Sequence, residues 1–182
     1  MSDVRGPTAP LVVETDGPDQ TRTLAAALAA LCLPGDLVLL VGDLGAGKTT
    51  FAQGFGGALG VREPTTSPTF VLVRRYPLHP HTSCATAGGI RALLHADLYR
   101  LDTLGEVADL GLAELIEDGG VALVEWGDVA GGVLGPEWLS VRFEIVDDVH
   151  RRITLAADGT SWAARWLQLT AALGSLEGAG GR

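Results

Sequence analysis

GDLGAGKTT, residues 42–50, fits the pattern G-x-x-x-x-G-K-[ST]. The apolar run Leu37–Val41 precedes it directly, and Thr49–Leu59 after it reads as a helix. In such a loop the glycines let backbone N–H groups turn inward around phosphate oxygens with no Cβ in the way. The lysine reaches the β and γ oxygens, the hydroxyl faces Mg²⁺, and the helix N-terminus adds its positive dipole end. Here Asp43, Leu44, Gly45, Ala46, Gly47, Lys48, Thr49 and Thr50 would line the cradle, with Lys48 on the phosphates and Thr49 on the metal. Strand, loop and helix in that order predict an α/β fold of the P-loop NTPase kind and a nucleoside triphosphate ligand. They do not say what the triphosphate is for.

The basic residues single out the same place. Of 13 Lys+Arg residues, every one except Lys48 is arginine. A compact ammonium fits between phosphates, whereas the planar guanidinium fork suits bidentate partners, so the position of the sole lysine makes a chance match harder to accept. The net charge is -9, which repels a phosphate backbone and argues against unaided binding of nucleic acid. With 182 residues, 47% hydrophobic and 19% charged, the composition predicts one globular domain with a sizeable core. The apolar runs are too short to span a bilayer, and the N-terminus carries acidic and proline residues before any apolar run, unlike a signal peptide. A cytoplasmic protein with no membrane partner is expected. Cys32 and Cys84 lack metal-ligand spacing and are read as unpaired thiols.

Along the chain, residues 1–10 and 174–182 are expected to be disordered tails around one domain over 11–173. Leu11–Glu14 reads as an edge strand. Asp19 is placed to cap a helix carrying Leu24, Leu28 and Leu31, which Pro34-Gly35 ends. Leu37–Val41 is a strand apolar on both faces. Phe70–Tyr76, Ala92–Tyr99 and Val121–Trp126 have strand composition, and Pro77–Gly89 reads as an exposed excursion. Thr103 and Glu106 have capping-box spacing, opening a short helix that stops near Gly111. Val141–Val146 and Arg152–Ala157 pair as an antiparallel hairpin across Asp147-Asp148, and Trp162–Leu173 is a final helix. The fold expected is a mixed, mostly parallel central sheet with flanking helices and this C-terminal hairpin.

A second acid on the metal side should end another buried strand. Asp97 ends ALLHAD and Glu125 ends GVALVE, and sequence patterning leaves the choice open. The N-K-x-D segment that commonly reads guanine is absent, since the chain has no asparagine, so ATP is the expected nucleotide. A small-molecule phosphotransferase would also use this loop, but an arginine-rich lid is not evident. A nucleotide sensor without catalysis is disfavoured by two candidate acids. His79 and His81 read as loop residues, His95 as a strand histidine satisfied by a neighbour, and Arg100 as either a phosphate anchor or a partner of Asp97 or Asp102.

Further motifs follow in order: GDLGAGKTTFAQGFGGALG, SPTFVLVRRY, HADLYRLD and DLGLAELIEDGGVALVEWGD. Together they resemble the TsaE family (formerly YjeE) over roughly residues 12–157. The resemblance implies the ATPase subunit that, with TsaB and TsaD, supports formation of N6-threonylcarbamoyladenosine in tRNA next to the anticodon. ATP and Mg²⁺ are the implied cofactors, intrinsic hydrolysis is slow, and tRNA is met only through the complex. By position it implies a switch-like loop at Ser67, Pro68 and Thr69, a catalytic acid at Asp97 and a metal-side acid at Glu125 beside Trp126, with Lys48 on the phosphates. Thr21 and Arg151 or Arg152 lie where the family approaches adenine. Two features depart from the family pattern: Arg74-Arg75 before Tyr76, where acidic residues are usual, and the length of the Pro77–Gly89 excursion.

Overall fold

A computed structural model of the chain describes residues 9–63, 65, 72–78, 89–99, 103–126 and 131–177. Its centre is β2 (Leu37–Val41), whose first four residues are all buried. β2 runs parallel to β5 (Gly120–Glu125) on one side and to β6 (Trp138–Ile145) on the other. β4 (Ala92–Asp97) extends the parallel set beyond β5. Antiparallel strands close both edges: β3 (Val73–Pro77) pairs with β4, and β7 (Arg151–Asp158) pairs with β6 and with β1 (Leu11–Thr15). The seven-stranded order is β1-β7-β6-β2-β5-β4-β3.

Period-two alternation sends β2 side chains to two separate cores. Val38 and Leu40, with Leu93, Leu123 and Val141, pack under α1 (Pro18–Ala29), α2 (Lys48–Leu59) and α6 (Trp166–Glu177). Leu37 and Leu39, with Leu94, Ala96 and Val124, pack under α3 (Leu104–Asp109), α4 (Leu112–Glu117) and α5 (Gly131–Leu134). The result is a three-layer α/β/α domain, as a parallel sheet covered on both faces requires.

Most expected elements form, with instructive differences at their ends. α1 starts at Pro18, behind Gly17, which offers no side-chain cap; Asp19 lies in the first turn and pairs with Arg22 at 2.8 Å. A proline at the first helical position loses no bond, since that N–H is unsatisfied in any case. The capping box at α3 is present, with Glu106 N–H donating to Thr103 Oγ1 at 3.3 Å and Thr103 N–H to Glu106 Oε2 at 3.0 Å. α3 stops at Asp109, near Gly111 as expected; Gly111 is also the N-cap of α4, which the sequence reading omitted along with α5. The last helix begins later than expected, because Trp162 and Arg165 form a turn that anchors it. Arg165 clamps the buried Asp36 carboxylate with bonds of 2.6 and 2.9 Å and lies 3.9 Å from the Trp162 ring centroid. Cys32 is a buried free thiol beside this pair; burial first, then the Asp36 charge, pushes it well above its ordinary value. Cys84, His79 and His81 lie outside the described residues, as does nearly all of the Pro77–Gly89 excursion.

α2 is rich in glycine, and its glycines do different things. A Cβ on Gly54 would come within 2.5 Å of the Arg22 Cα and carbonyl oxygen, so this glycine lets α1 and α2 approach backbone to backbone. Gly57 faces open space. Gly54→Ala should therefore destabilise the fold by about 2 kcal/mol through overpacking against rigid backbone. Gly57→Ala should stabilise it by about 1 kcal/mol through helix propensity alone. Urea unfolding of the two variants checks both signs.

Candidate active site

The register of the parallel strands sets the site. Leu40 pairs with Glu125, and Glu125 with Asp97, so the ends of β2, β5 and β4 are level. The ends are also tied together, with Trp126 N–H donating to Leu40 O at 3.1 Å and Leu98 N–H to Glu125 O at 3.1 Å. The loop Gly42–Thr50 leaves β2 at that level and opens α2. Gly42, at φ 152, could not carry a side chain: a Cβ would lie 2.7 Å from the Phe143 carbonyl oxygen. Gly47 caps α2 in the left-handed region at φ 109, where L side chains are strained. Ala46 is buried, pinning the middle of the loop to the core, while Leu44 at the rim is 90% exposed.

Lys48 is buried at 5% exposure. Its Nζ donates to the carbonyl oxygens of Gly42 at 2.7 Å and Asp43 at 2.9 Å, and lies 4.5 Å from the Trp126 ring centroid. Burial pushes this ammonium below its ordinary value of 10.5, while the carboxylates of Glu125, Asp97 and Asp43 pull the other way, Glu125 most strongly. Trp126 is the one non-glycine described residue with positive φ, at 60°. That conformation is uncommon for a bulky side chain and clusters at functional sites. Trp126 follows directly on the last residue of β5, and the indole it carries lies near Lys48 and, at 5.3 Å between centroids, near the Tyr99 ring.

Glu125 is 4% exposed and His95 fully buried, and His95 Nε2 lies 2.9 Å from Glu125 Oε1. A carboxylate only accepts, so Nε2 carries the hydrogen. Asp97 is half-buried at the end of β4, where its Oδ1 accepts from Tyr99 N–H at 3.1 Å. Thr49, in the first turn of α2, is half-buried. Oxygen donors from Thr49, Glu125 and Asp97 suit Mg²⁺, which takes one or two carboxylates and completes its shell from phosphates and water. Among the described residues no group of three or more His, Cys, Asp or Glu side chains is placed to hold a metal ion.

The remaining expected site residues divide. Arg151, on β7, reaches the loop: its guanidinium donates to Gly45 O at 3.5 Å and to Asp147 O at 2.7 Å. Arg152 points the other way and pairs with Glu14 at 2.9 Å, so of the two arginines only Arg151 belongs to the loop's surroundings. Thr21 is buried, with its hydroxyl 3.0 Å from that of Thr15 and bonded to Gly17 O at 3.1 Å; its side chain is engaged in joining α1 to β1. Ser67, Pro68, Thr69, Arg100 and Asp102 lie outside the described residues. The expectation that a neighbour satisfies His95 holds, but the sequence reading did not name Glu125 as that neighbour, although the alternation in His95-Ala96-Asp97 already puts His95 on the strand face of Asp97. Nothing in the sequence marks the Trp126 backbone.

Comparison with known proteins gives one consistent answer. The family model described as "Threonylcarbamoyl adenosine biosynthesis protein TsaE" matches residues 15–153. A Bacillus subtilis protein named tRNA threonylcarbamoyladenosine biosynthesis protein TsaE is 38% identical over 148 residues, covering 81% of this chain and 86% of the relative. A Streptomyces coelicolor protein of the same name is 40% identical over 148 residues, covering 78% and 93%. The crystal structure of Bacillus subtilis YdiB superposes with a TM-score of 0.71 at 33% identity, over 89% of this chain and 95% of that one.

Because Lys48 is the sole lysine, its ammonium titration can be followed by NMR without assignment. It should titrate below 10.5 in the folded chain and near 10.5 in urea. The folded state thus binds this proton less tightly than the unfolded chain, and the cost is present at neutral pH and relieved as pH rises toward 10.5. Glu125→Gln removes the strongest raising charge and should lower the midpoint further; an unmoved midpoint would place Glu125 away from the lysine.

Proposed function

The chain belongs to the TsaE family of threonylcarbamoyladenosine biosynthesis proteins, and from that premise we propose that it is the ATP-binding and hydrolysing subunit of a tRNA-modifying assembly. It takes part in forming threonylcarbamoyladenosine in tRNA. It acts in the cytoplasm with TsaB and TsaD, supports modification of the adenosine next to the anticodon, and meets tRNA only through that complex. None of the described helices is long and apolar enough to cross a membrane, and the acidic net charge of -9 favours protein partners over direct contact with RNA.

The observation that carries the ATPase reading is the level placement of Leu40, Glu125 and Asp97 beside the loop that holds Lys48. Phosphoryl transfer to water asks the protein mainly for positioning and charge stabilisation. Lys48 would exchange the Gly42 and Asp43 carbonyls for phosphate oxygens. Thr49 and Glu125 would hold Mg²⁺, which when bound neutralises charge on those oxygens. Asp97, less buried and at the neighbouring strand end, is the acid left to position the attacking water. Asp43, Leu44, Gly45, Ala46, Gly47 and Thr50 supply the rest of the cradle, and Arg151 closes its outer side. Ser67, Pro68 and Thr69 would follow the γ-phosphate, coupling hydrolysis to the grip on the partner, as switch loops do elsewhere.

MgATP hydrolysis by the pure chain should be slow and rise strongly on addition of TsaB–TsaD; no stimulation would sink the proposal. In the stimulated assay Asp97→Asn and Glu125→Gln should each lower kcat by roughly 10²–10⁴-fold while nucleotide binding survives. Lys48→Ala should lose the binding itself, measured by calorimetry.

A further inference from the structure

A fully buried histidine on the strand face of the catalytic acids calls for an explanation. His95 is 0% exposed, places Nε2 2.9 Å from Glu125 Oε1, and among the described residues leaves Nδ1 with no hydrogen-bond partner. A histidine present only to fill the core does so at a cost, since the orphaned nitrogen is a polar group taken out of water for no bond. A leucine would fill the same space without that penalty, as Leu93 and Leu94 do nearby. Among the described residues, the one hydrogen bond its side chain makes falls on the carboxylate at the end of β5.

We infer that His95 is a positioning residue: its Nε2–H holds Oε1 of Glu125 so that the other carboxylate oxygen, Oε2, is presented to the metal side of the phosphate loop. The inference rests on the reading of Glu125 as the metal-side acid. The geometry explains why the device is needed. Glu125 ends its strand and is followed at once by Trp126 at φ 60, so its backbone is fixed. Its side chain has three rotatable bonds and, among the described residues, only the imidazole as a hydrogen-bond partner. Lys48, on which the Glu125 charge acts, engages two loop carbonyls instead. Without His95 the carboxylate could swing toward Lys48 and occupy the ammonium meant for phosphate. With it, one oxygen is held and the other kept for the cation. Hydrogen-bond partners of metal-ligating groups commonly act in this way, and their loss commonly costs about 10–100-fold in metal affinity or activity.

The test uses the full chain, ADP and Mn²⁺, the latter read by EPR. His95→Leu should weaken Mn²⁺ binding to the ADP complex by about 10–100-fold and leave the metal-free ADP affinity unchanged. His95→Gln, whose amide nitrogen reaches the place of Nε2, should restore most of the Mn²⁺ affinity, and His95→Asn, whose amide falls at the place of Nδ1, should not. On a Glu125→Gln background, His95→Leu should add no further loss. If His95→Leu does not fold, His95→Asn replaces it with the same expected loss. Unchanged Mn²⁺ affinity in the Leu variant, or equal loss in the Gln and Asn variants, overturns the positioning role. If Glu125→Gln itself leaves Mn²⁺ binding unchanged, it is the metal-side assignment of Glu125 that fails, an outcome separate from a silent His95.

Discussion

β2 can be accommodated only between other strands and under helices on both faces, because Val38 and Leu40 face one core and Leu37 and Leu39 the other. That demand recruits β5 and β6 as parallel neighbours, and β5 in turn recruits β4. Parallel neighbours bring their C-terminal ends to the same side of the sheet, where ligands of open α/β sheets bind. The loop and both acids are therefore consequences of one buried strand and its register. A one-residue slip would send Glu125 to the opposite face, away from Lys48 and His95.

The polar groups at this edge are held in a dry setting. Lys48 and Glu125 are nearly inaccessible and His95 wholly so. Low local dielectric strengthens each interaction but penalises every unpaired charge. Lys48 meets the penalty with two carbonyls, the Trp126 face and three carboxylates acting at a distance. Trp126 joins an unusual backbone to two ring contacts: it turns left-handed directly after Glu125, and its indole lies near both Lys48 and Tyr99.

Much of this was legible in the residues. Five apolar residues before a glycine loop announced β2, and Thr103 with Glu106 announced α3. Asp97 and Glu125 were found by their place at the ends of apolar runs, and the family resemblance read from SPTF, HADLYRLD and VEW agrees with the comparisons. What escaped the sequence lay where local signals have two meanings. Gly111 follows the end of α3 as expected, but it also caps α4, which the glycine alone did not announce. Two adjacent arginines on a strand point to opposite faces, and the fold turns Arg151 to the loop and Arg152 to Glu14, a choice that the sequence left open. Asp19, plausible as a cap, lost that place because Pro18 was the better first helical residue.

By itself the sequence determined the fold class, the glycine loop with its single lysine between β2 and α2, the strand-end places of Asp97 and Glu125, and the family. These depend on local order and on period-two or helical spacing, which a linear chain carries directly. Tertiary structure alone decided that Leu40, Glu125 and Asp97 lie level, that His95 bonds to Glu125, and that Trp126 covers Lys48. Each of these joins residues dozens of positions apart, or a backbone angle imposed by neighbouring strand ends. Such relations follow from register and packing among elements, which spacing along the chain does not encode.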